Sequence, residues 1–547
     1  MPEIYGAQAI IKCLEQYGIE MVFGIPGLYN MPIFDALYHH PTIRVVVVRH
    51  EGGAAFMADG YARATGRPAA VLTLPGPGLT NALTGIGEAF SDSVPMLVLS
   101  TQVNRQFIDQ NAGLLHEMTG QFEMLSKLTK YSERITEGSQ IAAAFQRAMQ
   151  AMRSGRPRPV QIEIPRDIQV GPAPWPQPIP GGLPAAGEQP ARCRPSEEML
   201  RSAAFALAQA QRPLIYAGGG VISSEAGAEL LALAERLGAP VLTTGMGAGA
   251  IPSDHPLACG VAWIAAADIR PLVAACDAFL AVGTRFNQGM TAGWELPLPE
   301  TTIRVDIDEA EIERNLPMRT RLVGDARFTL DTLDRLLAEM GVQRYGQVDI
   351  GMQLAVEQFR QALQDKLGSS APWMAALRAA LPRDAIISCD MSLFWADMLG
   401  TFPIYHPRTM LFPWGFGTLG FAIPEAIGAK LANPNQPVAA ICGDGAFLFT
   451  GAELATAVQY NLGLPILVPN NHAYGMIKVQ QRDQYDEKFI AVDLVNPDFV
   501  QLAQAFGANG VRVAKPGELA EAIRRALKSN KPTVIEIPWR WVWGNEA

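Results

Sequence analysis

Two apolar runs in the last third of the chain, VAAIC at 438–442 and ILVPN at 466–470, are too short for helices and do not alternate with polar residues. Runs of this kind are strands covered on both faces, as parallel sheets require. Between them lies enough chain for a helix, so the three pieces form a strand–helix–strand unit with parallel strands. The first run ends in Gly443, Asp444 and Gly445, and the second in Asn470 and Asn471, with 24 residues between Gly445 and Asn470. One such unit returns the chain to the same edge of the sheet. Asp444 and Asn471 are therefore expected side by side at the carboxyl ends of strands, where open α/β sheets bind ligands.

That placement implies a chemistry. A carboxylate, an amide oxygen and a nearby backbone carbonyl make a hard, oxygen-only site suited to Mg2+, with diphosphate oxygens and water completing the shell. The glycines let the backbone approach phosphates, and a helix expected to start at Ala446 turns N–H groups towards an anion. A capped turn and an asparagine pair in a loop explain either motif alone, but not both at this spacing.

At 547 residues the chain exceeds a single core, so several domains are expected. Strand-like runs recur throughout, as at 43–48, 70–74, 96–99 and 160–164 in the first block. The fold class expected is α/β, with three doubly wound parallel-sheet domains at 1–170, 196–341 and 372–547. Their similar size suggests three copies of one fold, although their residues do not repeat clearly. A Pro- and Gly-rich linker occupies 171–195. A polar helical connector occupies 342–371, with Leu354, Val356, Phe359, Leu363 and Leu367 as its stripe.

The net charge of -9 gives no electrostatic reason to expect nucleic acid or a membrane surface as partner. No apolar run is long enough to span a bilayer. The N-terminus reads as an amphipathic helix with Ile4, Ala7, Ile10, Ile11 and Leu14 on one face, not as a signal peptide. Six scattered cysteines without a CxxC pair point to a reduced, cytoplasmic protein without a disulfide framework or zinc site.

The stretch VVVVRHEGGAAFMADGYAR at 45–63 raises a different question. Four valines read as a strand buried on both faces, and Glu51 follows at its end. Glu51 is either a helix N-terminal acid, favourable to the dipole, or a buried acid with a task. Gly415, Gly417 and Gly420 match GxGxxG and invite a dinucleotide-dependent oxidoreductase. The preceding TMLFPW contains a proline and is a poor central strand, so that fingerprint lacks its context.

GDG followed by NN is the fingerprint of the thiamine diphosphate-dependent enzymes. HEGGAAFMADGYAR, LPGPGLTNALTGIGEAFSDSVPMLVLS, MGAGAIPSDHPL, GFGTLGFAIPEAIGAK and NNHAYGM resemble the acetolactate synthase (large subunit) branch over nearly the whole chain. The resemblance implies pyrimidine-binding, central and diphosphate-binding domains in that order. It implies a cofactor lying between the first domain of one subunit and the third of another, in a homodimer or a homotetramer built as a dimer of dimers. Glu51 is then the catalytic acid facing N1′ of the cofactor's aminopyrimidine. Asp444, Asn471 and the carbonyl of Ala473 hold Mg2+. Gly417 offers its carbonyl to the 4′-amino group, and Leu419 is the apolar wedge that bends the cofactor. Asn81, Ser392, Gly443, Gly445 and Ala446 are further implied cofactor contacts, as are Tyr474, Gly475 and Met476.

The implied reaction is attack of a C2 ylide on a 2-oxo acid, loss of CO2 and an enamine, which is then protonated or joined to a second carbonyl. All the named acids and amides are present, which argues against a catalytically dead homologue. Three departures bear on the substrate. Leu28 stands where simple pyruvate decarboxylases carry a catalytic acid. His116 and Glu117 stand where acetolactate synthases show Phe-Gln, and Gln480 where they carry a tryptophan. GLLHE and RSGRPRPVQIEIPRD look more like the 5-guanidino-2-oxopentanoate decarboxylase group. In that reading Glu117 pairs with a cationic substrate tail. The alternative is a surface ion pair with a lysine. Gln121 is expected to reach the pocket, and His116 to donate a proton or simply to pack. In the central block, Gly218, Gly219 and Gly220 with RVDIDEAEIERN resemble flavin-holding parts. FAD is the lesser alternative there, and plain scaffold the favoured one.

Overall fold

The computed structural model describes residues 3–38, 40–175, 193–263 and 267–539. Each block is built around a six-stranded sheet whose neighbouring strands all run parallel. The first sheet runs, in spatial order, Arg44–Val47, Met21–Gly24, Ala69–Thr73, Met96–Gln102, Val160–Pro165, Tyr131–Arg134. The third runs Met410–Leu411, Ile386–Cys389, Val438–Ile441, Pro465–Asn470, Thr533–Pro538, Asn509–Arg512. Numbered within its own block, each has the order 2-1-3-4-6-5. The central sheet instead runs 3-2-1-4-5-6, from Ala258–Val261 to Thr320–Val323. The expectation of three copies is therefore corrected: the first and third domains share a topology, and the middle one is a different doubly wound fold. Periodicity reveals alternating strands and helices, which both orders share. Strand order depends on where each crossover lands.

The four-valine strand is also corrected. Arg44–Val47 is the edge of its sheet, with only Val46 buried and Val45 and Val47 half-buried. The third domain closes that edge. The hydroxyl of Tyr460 accepts the N–H of Val47 at 2.8 Å and donates to the carbonyl of Val45 at 3.4 Å. Edge strands need such cover.

Pro172–Pro174 pairs antiparallel with Glu3–Tyr5, so the segment expected as linker begins as a strand, and its residues 176–192 lie outside the described residues. In the connector, the helix Ile350–Leu367 buries Met352, Val356, Phe359, Leu363 and Leu367. Leu354 is exposed, so the stripe starts at Met352, and it packs on the central domain. No helix among the described residues is long and apolar enough to cross a membrane. The six cysteines are unpaired, and only Cys193 is exposed.

The first and third domains share one core, with Phe56, Met57 and Ile86 meeting Phe421, Ile423 and Ile427. The helix Glu51–Thr65, buried from Glu51 to Arg63, lies against the helix Ala422–Ala432. Gly60 faces the backbone of Glu425, and Gly428 the backbone of Met57, so closely that a Cβ at either would overlap.

Candidate active site

In the third sheet the strand order reverses between Ile386–Cys389 and Val438–Ile441. Such a reversal leaves a crevice at the carboxyl ends. The segments leaving these strands meet there, and a Cβ built on Gly443 would lie 3.3 Å from the Cβ of Ser392. The Ser392 hydroxyl accepts the N–H of Trp395 at 3.2 Å and caps the helix Leu393–Met398. Asp390 is fully buried, and its carboxylate accepts the N–H groups of Phe421 (2.8 Å) and Ala422 (3.2 Å). Burial pushes its pKa up to about 7.

Asp444 opens the helix Asp444–Thr450, with Gly443 as N-cap, so this helix starts two residues before the expected Ala446. Its carboxylate is buried, and Oδ2 accepts the Nδ2–H of Asn496 at 2.7 Å. The same nitrogen donates to Oδ1 of Asn470 at 3.0 Å. Burial raises the Asp444 pKa, opposed by the Asn496 amide and nearby backbone N–H groups. Asn470 is tied to Glu536 at 2.9 Å and supports the strand end. Asn471 follows it, and its Oδ1 accepts the N–H of Ala473 at 3.2 Å. The Tyr474 ring lies against Gly445, where a Cβ would be 2.7 Å away. Gly475 makes room for the Asn471 amide, and Met476 packs on the domain core. Beside this cradle is a cavity of about 770 Å³, lined among others by Asn471, Ala473, Gly475, Lys478, Asn496 and Arg512.

Asn496 was missed in the sequence. Its only local signal is an Asn-Pro-Asp turn, which says nothing of a carboxylate elsewhere. Its Oδ1 is buried without a hydrogen-bond partner. Among the described residues no three His, Cys, Asp or Glu side chains converge on a metal position. A cradle with one carboxylate fits Mg2+, which keeps several waters and binds through one or two carboxylates plus substrate phosphates.

The first domain supplies the acid. His50 N-caps the helix Glu51–Thr65, its Nδ1 accepting the N–H of Gly52 at 3.1 Å. Glu51, the first residue of that helix, is 8% exposed. Its Oε2 accepts the Nδ2–H of Asn81 at 3.0 Å, from the helix Pro77–Asp92. Oε1 carries no hydrogen bond from the described residues, and Glu51 makes no hydrogen bond or ion pair with the Asp444 cradle of its own chain.

The expected substrate residues separate. Gln121 is fully buried and committed: Oε1 accepts the N–H of Gly76 at 2.8 Å, and Nε2 donates to Thr101 (3.1 Å) and Glu163 (3.0 Å). It holds the turn before Asn81's helix through these three bonds. The His116 ring stands edge-on to Tyr29, with centroids 6.1 Å apart. Glu117 is half-buried and pairs with no lysine among the described residues. It accepts the N–H groups of Ala112 (3.0 Å), Leu114 (3.0 Å) and Gly113 (2.8 Å), which hold its pKa below the usual carboxylate range. Leu28 is exposed in the loop after Met21–Gly24. Gln480 lies on the helix Gly475–Gln484 and bonds to Gln484 at 3.2 Å.

Gly417 has φ +70, a left-handed conformation that favours glycine, and its neighbour Leu419 is half-buried against the shared core. The segment 415–420 bends between the two-residue edge strand Met410–Leu411 and the helix Ala422–Ala432. It is not the tight strand-to-helix turn of a dinucleotide site. In the central domain, Gly220 packs at backbone distance on Gly283, where neither has room for a Cβ.

Comparison with known families divides the chain in three. The N-terminal TPP binding domain of thiamine pyrophosphate enzymes matches residues 4–124, the central domain 200–336 and the C-terminal TPP binding domain 391–537. A probable acetolactate synthase large subunit of Methanocaldococcus jannaschii is 35% identical over 97% of this chain and 91% of its own. The probable 2-ketoarginine decarboxylase AruI of Pseudomonas aeruginosa is 37% identical over 97% of this chain and 93% of its own. An acetolactate synthase of Mycobacterium bovis is 34% identical over 98% of this chain and 88% of its own.

Proposed function

The chain belongs to the thiamine pyrophosphate enzymes, acting on 2-oxo acids by decarboxylation or carboligation, and on that premise we propose that Glu51 of one copy and the Asp444 cradle of a second copy complete one decarboxylating centre. The observation that carries this reading is the state of Glu51. Its carboxylate is nearly enclosed at a helix start, oriented by one bond to Asn81, with Oε1 free to exchange a proton with a ligand nitrogen. Asp444, Asn471 and the carbonyl of Ala473 would hold Mg2+, which would supply positive charge for the diphosphate. Gly443 and Gly445 keep side chains off the phosphates, while Tyr474 covers Gly445. Leu419 offers an apolar surface beside the left-handed turn at Gly417. Bound there, thiamine diphosphate supplies the electron sink for the pair left when the substrate carboxylate departs as CO2.

One observation favours a cationic substrate tail. Glu117 is held ionised by its own loop, and the Tyr29 pKa is raised by burial first, against Arg166, with Glu117 adding to the rise; the Tyr29 ring meets that of His116. The AruI relative is named for a 2-oxo acid of that kind.

The test is Glu51→Gln, which keeps size and the Asn81 contact. Loss of roughly 100-fold or more in kcat is expected, with cofactor still bound, since a positioned acid–base group contributes about 10²–10⁴-fold. A variant turning over at the wild-type rate would remove the assignment.

A further inference from the structure

Resting on that reading of Glu51, we propose that Glu453 is a positioning residue that sets the place of Glu51 from the third domain of the same chain. Glu453 is 1% exposed. Its Oε1 accepts the backbone N–H groups of both Arg49 and His50, each at 3.0 Å. Its Oε2 accepts the hydroxyl of Thr456 at 2.5 Å. Arg49 and His50 are the two residues through which the chain enters the helix that Glu51 opens, and His50 is the cap. Holding their two peptide groups fixes the direction in which Glu51 leaves the backbone. No intrahelical acceptor is available to these N–H groups, and Glu453 is the side chain that takes both at the partly buried entrance to the helix.

Neighbouring residues are shaped around this contact. A Cβ on Gly53 would overlap Oε1 of Glu453, so the second glycine of HEGG is what allows the carboxylate in. Gln459 takes the Arg49 guanidinium at 2.6 Å, and Tyr460 bridges Val45 and Val47 just before it. The segment making these contacts is continuous with the cradle: helix Asp444–Thr450, turn Gly451–Glu453, helix Leu454–Gln459. One rigid stretch thus carries the metal ligand at its start and the anchor of Glu51 at its turn. If centres are shared between copies, these two belong to different centres.

A buried glutamate that merely staples two domains would affect stability alone. The distinguishing test compares Glu453→Gln, Glu453→Asp and Glu453→Ala in the full chain. Steady-state decarboxylation is read with thiamine diphosphate and Mg2+, and amide hydrogen exchange at residues 49 and 50 without them. Gln keeps an oxygen for both N–H groups, so kcat and exchange should stay within about twofold of wild type, the scatter of a neutral change. Asp and Ala should lower kcat by about 10- to 100-fold with KM nearly unchanged, the cost of a misplaced reacting group, and should speed exchange at 49 and 50. Should Ala not fold, Asp, which keeps the charge but is one methylene shorter, decides alone. Wild-type kcat in Asp, a loss in Gln equal to that in Ala, or lost turnover with unchanged exchange would each overturn the proposal. A wild-type rate in Glu51→Gln would instead sink the reading beneath it, whatever Glu453 variants do.

Discussion

The amide of Asn81 donates to Oε2 of Glu51 at 3.0 Å across the gap between two helices, leaving Oε1 without a hydrogen bond from the described residues. The contact orients the acid without occupying it. Asn81→Ala should therefore keep the fold and lower kcat roughly tenfold, the scale of one hydrogen bond to a charged group. Asn81→Asp should do worse, because it sets a second carboxylate against Glu51 and favours a shared proton. Turnover of both variants at saturating cofactor checks this. An Asn81→Asp enzyme as fast as wild type would mean that the contact does not govern the acid.

Asn496 clamps Asp444 to Asn470, with 2.7 Å and 3.0 Å contacts from a single nitrogen. A partner that orients a metal ligand typically contributes about 10- to 100-fold in metal affinity. Asn496→Ala should raise the Mg2+ concentration for half-maximal activity by that order while saturating Mg2+ restores most of kcat. Chelation should abolish activity in both proteins. A Mg2+ requirement unchanged in Asn496→Ala would show that Asp444 is held well enough by the backbone.

These two sites differ in how far they could be read from the sequence. Asp444 and Asn471 end neighbouring strands of one strand–helix–strand unit, and that geometry follows from connection rules acting over a short span. Asn496 reaches Asp444 from outside the unit. The edge position of Arg44–Val47 was equally hidden, since its cover, Tyr460, comes from another domain. The bonds of Gln121 were hidden too, since its partners Gly76, Thr101 and Glu163 lie on three separate segments. Gly53 has no local reason to be glycine. It acquires one only when Glu453 is beside it.

Between the first and third domains, one guanidinium faces four buried carboxylates. Arg63 binds Asp59 at 2.8 Å and Asp92 at 3.1 Å, with Glu425 at 3.4 Å and Glu88 at 4.0 Å. Arg285 approaches Asp92 from the central domain at 3.9 Å. Burial, then the neighbouring Asp92, pushes the Glu88 pKa up to about 9, and burial with Asp59 raises that of Glu425. An unfolded glutamate loses its proton near pH 4.5, while the folded Glu88 keeps it to about 9. The folded state therefore binds more protons between those values. Stability is fully present below the lower pKa and is lost as pH rises through the upper one, by about 1.4 kcal/mol per pH unit for one such group. Thermal unfolding followed from about pH 6 to 9 should show Tm falling, and Glu88→Gln should flatten the slope. An unchanged slope in the variant would place the titration elsewhere.

Glu117 separates two uses of one carboxylate. It holds its own loop through Ala112, Gly113 and Leu114, and those bonds keep it charged. If that charge also meets a cationic tail, Glu117→Gln should lower kcat/KM more for a guanidino 2-oxo acid than for a branched apolar one of similar length. The extra loss should be about two- to fivefold, the range of an ion pair that solvent still reaches. Loosening of the loop affects both substrates alike, so the ratio of the two losses isolates the tail. Equal losses would leave Glu117 as a loop anchor alone and return the choice of substrate to the apolar residues around Leu28 and Tyr29.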